Sequence, residues 1–128
     1  MTWELFLKYP KTFCRENSNG DYDMISEKRI QEAMRLLKEA ASPVKIILFG
    51  SYARGDISEH SDLDFLVVEK ALKARRMEMV RLSDVLRPLR IPVDVLVASE
   101  KVFNEWADTP GTVLYEAAKE GKTLYEMA

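Results

Sequence analysis

Apolar side chains recur along this chain with two different spacings, and each spacing predicts one kind of element. From Ser26 to Pro43 they recur every three or four residues, which is the spacing of an amphipathic helix. Ser26 suits the N-cap of that helix, since its hydroxyl can accept a hydrogen bond from a backbone N–H group of the first turn. We therefore predict a core-packing helix, with the apolar residues Ile30, Ala33, Met34, Leu37 and Ala41.

Three shorter apolar runs predict β-strands. Residues 46–49 are continuously apolar, as expected of a strand that is covered on both faces. Residues 62–69 alternate, so that Asp62 and Asp64 would project from one face of the strand and apolar side chains from the other. Residues 92–97 form the third run, which is apolar apart from a single acid.

Three further helices are predicted after the first two strands. The first carries apolar residues from Leu72 to Leu86 and is closed by Pro88. The second is short and is capped by Ser99. The third begins at Thr112 and ends at Gly121, in the C′ position that glycine favours.

These elements predict a single α+β domain (an α/β sandwich), with a small mixed sheet of three or more strands and helices packed mainly on one face. The 128 residues, 47% of them hydrophobic, are enough for one domain with a real core. We assign residues 26–128 to this domain. Residues 1–25 form an N-terminal extension, interpreted as an added helix, a partner-binding arm or a loosely ordered stretch, because residues 17–21 have turn or linker composition.

Composition excludes several classes of protein. A net charge of −2 gives no signal for broad nucleic-acid binding, which usually needs a strongly basic surface. The single cysteine, Cys14, permits no internal disulfide, and together with the single histidine, His60, it nearly excludes a zinc site of the His/Cys type. No apolar run approaches the length of a membrane span, and no secretion signal is recognisable. We therefore expect no membrane association and a cytoplasmic location.

The second strand begins with two closely spaced carboxylates, Asp62 and Asp64. Like charges at this spacing raise each other's pKa, and burial adds to the cost of ionisation. A hard divalent cation such as Mg²⁺ would neutralise them, because it takes oxygen ligands from one or two carboxylates and completes its shell with water and phosphate. The structural alternative is a solvated strand end.

The turn after the first strand has the residues for a phosphate site. If a helix begins at Ser51, its N-terminal N–H groups face an incoming phosphate, and Gly50 lets the backbone come close. A glycine–serine pair is also common in ordinary turns. A third acid, Asp94, lies in the apolar third strand, where aspartate is rare. It would either join the metal site or pair with an arginine such as Arg54.

Taken together, these residues resemble a known family. The order Gly-Ser-x-Ala-Arg-Gly from position 50, then Ser-Asp-x-Asp from position 61, then one aspartate on a later strand, is similar to the nucleotidyltransferase superfamily that includes DNA polymerase β. Within it, the chain resembles the minimal nucleotidyltransferase (MNT) branch, whose antitoxins act with HEPN-family partners. The resemblance covers residues 44–97 most closely, and residues 111–125 are similar to the end of those small proteins.

The resemblance implies a nucleotidyltransferase fold and a Mg²⁺-dependent transfer of a nucleotide from ATP. Asp62 and Asp64 would hold two Mg²⁺ ions. Asp94 would complete the metal shell near the acceptor hydroxyl and could accept its proton. The three aspartates are therefore the expected catalytic and metal-binding residues.

The resemblance also implies a nucleotide-binding role for Gly50, Ser51 and Arg54. Gly50 and Ser51 would hold the β- and γ-phosphates of the leaving group. For Arg54 two roles stay open: it could reach a phosphate, or it could brace the acids as a structural ion pair.

Fewer than 35 residues follow Asp94, so we expect the acceptor to come from outside the chain or from another copy of it.

Three functions are consistent with this pattern. The first function is an antitoxin that transfers AMP from ATP to a hydroxyl, expected to be a tyrosine, of a HEPN-type toxin. The second is a non-catalytic antitoxin that neutralises by contact, through Trp3, Phe6, Trp106 or the basic run at residues 70–76. The third is a small-molecule nucleotidyltransferase that dimerises to form an acceptor pocket.

Overall fold

A four-stranded mixed sheet forms the centre of the protein, and three of its strands are the apolar runs of the sequence. The computed structural model describes residues 25–57 and 61–127. In these residues the strands are β1 (Lys45–Phe49), β2 (Leu63–Glu69), β3 (Val93–Ser99) and β4 (Lys122–Glu126). The strand order is β3-β2-β1-β4. β2 and β3 are parallel, whereas β1 is antiparallel to both of its neighbours.

Three of the five helices in the described residues begin at a side-chain cap. The five are α1 (Glu27–Ala41), α2 (Ser51–Arg54), α3 (Arg75–Leu86), α4 (Glu100–Trp106) and α5 (Val113–Glu120), with a 3₁₀ turn (Arg87–Leu89) after α3. At the starts of α1, α4 and α5, a side-chain hydroxyl accepts a hydrogen bond from the backbone N–H group three residues later. The capping residues are those predicted, Ser26, Ser99 and Thr112.

The alternation of β2 decides which helices cover which face. Leu63, Phe65 and Val67 point to the face that the two long helices, α1 and α3, cover. Leu66 and Val68 point to the opposite face, where they pack with residues of the short helices α4 and α5. Both faces are covered because β2 is apolar on both sides beyond its first acid. The predicted α+β class with a mixed sheet is confirmed.

One strand and one helix start differ from the sequence interpretation. β4 was not predicted, because Lys122 to Glu126 lacks the continuous apolar character of the other strands. The second predicted helix begins at Arg75 rather than near Leu72, because Ala74 is extended and Leu72 packs against the core from the segment before the helix.

Gly121 has a different role from the one predicted. It ends α5, but with φ −78° and ψ 167° it is extended rather than left-handed. A Cβ atom there would overlap the carbonyl oxygen of Ala117 and the side chain of Ile47. Glycine is therefore required because β4 leaves α5 directly against β1, without room for a side chain.

The N-terminal extension lies outside the described residues, except for its last residue. Ile25 is buried, and its N–H group donates to the hydroxyl of Tyr52 at 3.0 Å. The interpretations of Trp3, Phe6, Cys14 and His60 also fall outside the described residues. None of the helices in the described part of the chain has the length and apolar composition needed to cross a bilayer.

We predict that Gly121→Ala lowers the free energy of unfolding by about 1–3 kcal/mol, because the added methyl group overpacks the junction between α5 and β1. Urea denaturation measures the change. Lys119→Ala, at an exposed position of α5, is the control and is expected to change stability by less than about 0.5 kcal/mol. An equally small effect of Gly121→Ala would contradict the assigned role.

Candidate active site

Sheet register brings two of the predicted acids together. Asp64 is the register partner of Asp94 on the parallel strand β3. On the other side of β2, Asp64 is the partner of Phe49, the last residue of β1. Register partners point to the same face, on strands roughly 4.8 Å apart. The two carboxylates are thus neighbours at one rim of the sheet.

All six residues predicted for the site line one cleft of about 950 Å³ at this rim. Asp62 lies just before β2, where it was expected to be part of the strand, but it still faces the same cleft as Asp64 and Asp94. Asp62 and Asp64 are half-buried, whereas Asp94 is exposed. The other three predicted residues, Gly50, Ser51 and Arg54, form the wall next to β1.

Asp64 is the most perturbed acid of the cleft. Its pKa is raised from 3.8 to about 6, first by burial and then by the negative charges of Asp94, Asp62 and Glu116. The positive charge of Arg54 acts in the opposite direction. Asp64 therefore lies where an added cation would be strongly stabilised.

Gly50 lies where the turn after β1 comes closest to the acids. It has φ +81°, a conformation that side-chain-bearing residues rarely adopt. A Cβ atom at this position would overlap the carboxylate of Asp64. The predicted helix α2 begins at the next residue, Ser51. The glycine is needed both for the turn and for the close approach of the backbone to Asp64.

Arg54 pairs with acids other than those expected. Its guanidinium contacts Asp56 at 3.2 Å and Glu116 at 3.1 Å, with Glu120 at 4.0 Å. These contacts are largely exposed, and such ion pairs contribute about 1 kcal/mol or less each. Arg54 therefore forms ion pairs, as in one of its two predicted roles, but with partners on α5 and in the loop after α2; a contact with phosphate stays a prediction.

Glu116 is a cleft residue that sequence reasoning missed. It lines the cleft from α5 and contributes to the raised pKa of Asp64. Its only signal in the sequence is its place beside the buried Ala117 in a helix that must pack on the sheet. Nothing in that pattern reveals which strand end the helix reaches.

Helix α3 supplies a second wall with positive charge. Arg76, Val80 and Ser83 line the cleft from this helix. Arg87 lines it from the 3₁₀ turn that follows and is paired with Asp84. Arg76 belongs to the basic run at residues 70–76. That run therefore contributes one cation to the mouth of the cleft.

The acidic side chains of the cleft suit a cation that is also bound by a phosphate better than a metal ion that is held by the protein alone. Within residues 25–57 and 61–127, no three His, Cys, Asp or Glu side chains are close enough together to form a metal site by themselves. Mg²⁺ does not need such a cage, since it is usually held by one or two carboxylates plus water and substrate phosphate. The neighbouring carboxylates of Asp64 and Asp94 and the raised pKa of Asp64 suit that arrangement.

The raised pKa of Asp64 predicts a pH-dependent stability. Between about pH 4 and pH 6 the folded chain holds a proton that the unfolded chain has lost, so stability falls as pH rises through this window. Asn cannot ionise, so Asp64→Asn should gain stability over the wild type above pH 7 and lose that advantage near pH 4. We expect a gain of about 1–2 kcal/mol, less than the full shift implies, because water screens this partly exposed carboxyl group.

Urea denaturation at pH 4 and pH 7.5, with a chelator present, measures this difference. Glu69, whose pKa is also raised, to about 7, is present in both proteins, so its contribution cancels. Asp108→Asn, at an exposed site outside the cleft, controls for the loss of one negative charge. A gain for Asp64→Asn that is the same at both pH values would show that ionisation of Asp64 does not cause it.

Comparison with known proteins agrees with this geometry. Residues 28–123 match the family model described as a nucleotidyltransferase domain. A protein of Methanocaldococcus jannaschii, named "putative protein adenylyltransferase MJ0604", is 34% identical over 107 residues, which cover 80% of this chain and 100% of that protein. Another, named "putative protein adenylyltransferase MJ1305", is 57% identical over 35 residues, which cover 27% of this chain and 24% of that protein.

A solved structure is also similar. It is described as a "putative nucleotidyltransferase" from Sulfolobus solfataricus, is 24% identical and has a TM-score of 0.46, covering 79% of this chain and 89% of that chain. The family match over residues 28–123 and the relative that is aligned over its whole length both agree with the motifs of the sequence. This chain therefore belongs to the nucleotidyltransferase family, as its sequence predicted.

Proposed function

We propose that this nucleotidyltransferase transfers AMP from ATP to a hydroxyl group of a partner protein. The observation that carries the proposal is the pairing of Asp64 with Asp94 in one cleft, beside the turn at Gly50. A protein acceptor is supported by the relatives, which are named as protein adenylyltransferases. The cleft is open and lies at a rim of the sheet, where a folded partner can approach.

Asp62, Asp64 and Asp94 are the residues that would hold Mg²⁺, with two ions expected. When bound, the metal would neutralise charge on the phosphoryl oxygens and favour ionisation of the acceptor hydroxyl. Because Asp64 carries a raised pKa, bound cations would also return this carboxyl to its ionised form.

The reaction exchanges one phosphorus–oxygen bond for another. The acceptor oxygen forms a bond to the α-phosphorus, while the bond from the α-phosphorus to the bridging oxygen breaks and pyrophosphate leaves with the electron pair. Asp94, the exposed member of the acid pair, accepts the proton of the acceptor hydroxyl.

Gly50, Ser51 and Arg54 would hold the departing pyrophosphate. Gly50 brings the backbone against Asp64 and so keeps the phosphate wall close to the acids. Arg54 can turn from Asp56 and Glu116 to a phosphate, because the exposed ion pairs that it would leave are weak. Its two predicted roles would then belong to two stages of the same reaction.

We further propose that the partner is a HEPN-type toxin, that the acceptor is a tyrosine, and that the chain acts as its antitoxin. This part of the proposal rests on the resemblance to the MNT branch, whose small members act with such partners. A HEPN-like reading frame beside the gene would support it, and loss of neutralisation by Asp94→Asn would separate a catalytic antitoxin from one that acts by contact.

The direct test is transfer of label from α-labelled ATP, with Mg²⁺, into proteins of a lysate of the source cells. We expect a labelled band with the wild-type chain and none with Asp94→Asn, because the variant lacks the proton acceptor. Asp108→Asn, which also removes one negative charge, should label as the wild type does. Equal labelling by wild type and Asp94→Asn, or none with any nucleoside triphosphate, would contradict the proposal.

Gly50→Ala tests the contact between the turn and the acids. We expect a loss of transfer of about 100-fold or more, since displacement of a reacting group by about 1 Å can cost this much. Gly111→Ala is a matched control: Gly111 has φ +92°, but a Cβ atom there would meet nothing within 4 Å, so it shares the backbone strain without the overlap. Initial rates of label incorporation should be nearly unchanged in the control, and equal losses in both would indicate strain alone.

A further inference from the structure

A small apolar hollow adjoins the acid cleft on the same face of the sheet. It has a volume of about 300 Å³ and lies between α4 and α5, over β2 and β3. We call it the Trp106 hollow; its apolar lining includes Leu66, Leu96, Ala98, Val102, Trp106 and Leu114. Trp106 is 47% exposed, although its indole is one of the largest apolar groups in the described part of the chain.

The hollow is continuous with the cleft that holds the acids. Leu66 and Leu96 follow Asp64 and Asp94 by two residues on the same strands, so all four point to the same face. Two residues along a strand span about 7 Å. Leu96 also lines the cleft, as does Val113 at the start of α5. A ring lying over Leu96 would therefore have one end within reach of the acid pair.

The hollow lies on the side of the acids away from the proposed phosphate wall. The turn at Gly50 follows β1, and β1 is next to β2 on the side opposite β3. Asp94 and Leu96 are on β3, at the far side of Asp64. If phosphates occupy the β1 side, an attacking group has to approach from the β3 side, where the hollow opens.

The chemistry of the lining distinguishes between possible occupants. The Nε–H of Arg75 already donates to the carbonyl of Val97 at 2.6 Å. The hydroxyl of Thr112 bonds to the carbonyl of Thr109 at 2.9 Å and accepts the N–H of Tyr115 at 3.1 Å. Apart from Arg75 and Thr112, the side chains of the lining are apolar, so a nucleobase buried here would replace few of the hydrogen bonds to water along its polar edge, which is costly. A phenol ring would bury only its apolar part.

We propose that the Trp106 hollow is the acceptor subsite of this enzyme and that it binds a tyrosine side chain, with the ring against Trp106 and the hydroxyl directed to Asp94. This inference rests on the proposed function, since it places the acceptor of the same reaction. The tyrosine oxygen would form the bond to the α-phosphorus, Asp94 would take its proton, and pyrophosphate would leave. Trp106 and Leu96 would thereby select an aromatic hydroxyl over that of serine or threonine.

Steady-state kinetics with N-acetyl-tyrosinamide as the acceptor, and ATP with Mg²⁺, test the assignment. Trp106→Ala should raise the KM for the tyrosine probe about tenfold, because a ring-to-ring contact is lost, and leave the KM for ATP within twofold. Trp106→Phe, which keeps an aromatic ring, should have a KM for the tyrosine probe close to that of the wild type. Met77→Ala is the control, because Met77 is an apolar helix residue that is 66% exposed and lies outside both the cleft and the hollow.

A second measurement does not depend on transfer. In a Trp3→Phe background, Trp106 is the only tryptophan, since the chain has two. Its fluorescence should change saturably with N-acetyl-tyrosinamide and much less with N-acetyl-serinamide. The change with N-acetyl-tyrosinamide should be the same when a non-hydrolysable ATP analogue is bound. Val102→Glu, which introduces a charge at the hollow, should abolish the change.

The outcomes separate this inference from the proposed function. If no acceptor is labelled but the tyrosine probe still binds at Trp106 beside the ATP analogue, the proposed function fails and the subsite stands. If transfer occurs but Trp106→Ala raises the KM for ATP and not for the acceptor, the hollow holds the nucleobase and the inference is wrong. Absence of saturable binding, or displacement of the probe by the ATP analogue, would also overturn it.

Discussion

The site depends on one electrostatic conflict, the repulsion between the carboxylates of Asp64 and Asp94 on neighbouring strands. Hydrophobic packing enforces this conflict. A one-residue shift of β2 would separate the acids, but it would also turn Asp64 toward the core under α1 and α3 and move Phe65 and Val67 to the opposite face. The sheet therefore cannot relax the repulsion without burying a carboxylate and repacking both of its faces. Burial of Asp64, together with this repulsion, raises the pKa of its carboxyl group, so a cation that enters the cleft would be stabilised there.

The acid pair has different surroundings on its two sides. On the β1 side, Gly50 holds a turn so close to Asp64 that no side chain would fit. On the β3 side, the strand face changes from acidic to apolar within two residues, from Asp94 to Leu96, and leads into the hollow at Trp106. A polyanion suits the first side and an aromatic group the second. In the proposed function, one small sheet would thus present two different substrates to the same pair of carboxylates.

Much of this arrangement could be predicted because it follows from local patterns. Strand alternation places Asp64 opposite the core face, and a serine before a helical repeat marks the start of α1. Long-range docking could not be predicted. Glu116 reaches the cleft only because α5 packs over β1, and the periodicity of a helix does not reveal where on the sheet that helix packs. β4 is not predicted because its residues are only partly buried and lack a continuous apolar run. Gly121 is predicted as the residue that ends α5, but its close contact with Ile47 depends on how α5 packs against β1.

The central claim is that the cleft binds a metal together with a nucleotide and is not a preformed metal cage. Calorimetric titration with Mg²⁺, with and without α,β-methylene-ATP, tests it most directly. We predict weak binding of Mg²⁺ alone, weak binding of the analogue alone, and binding at least tenfold tighter when both are present, with Asp64→Asn losing the enhancement. Tight binding of Mg²⁺ without nucleotide, or nucleotide binding that is unaffected by Mg²⁺, would contradict the account.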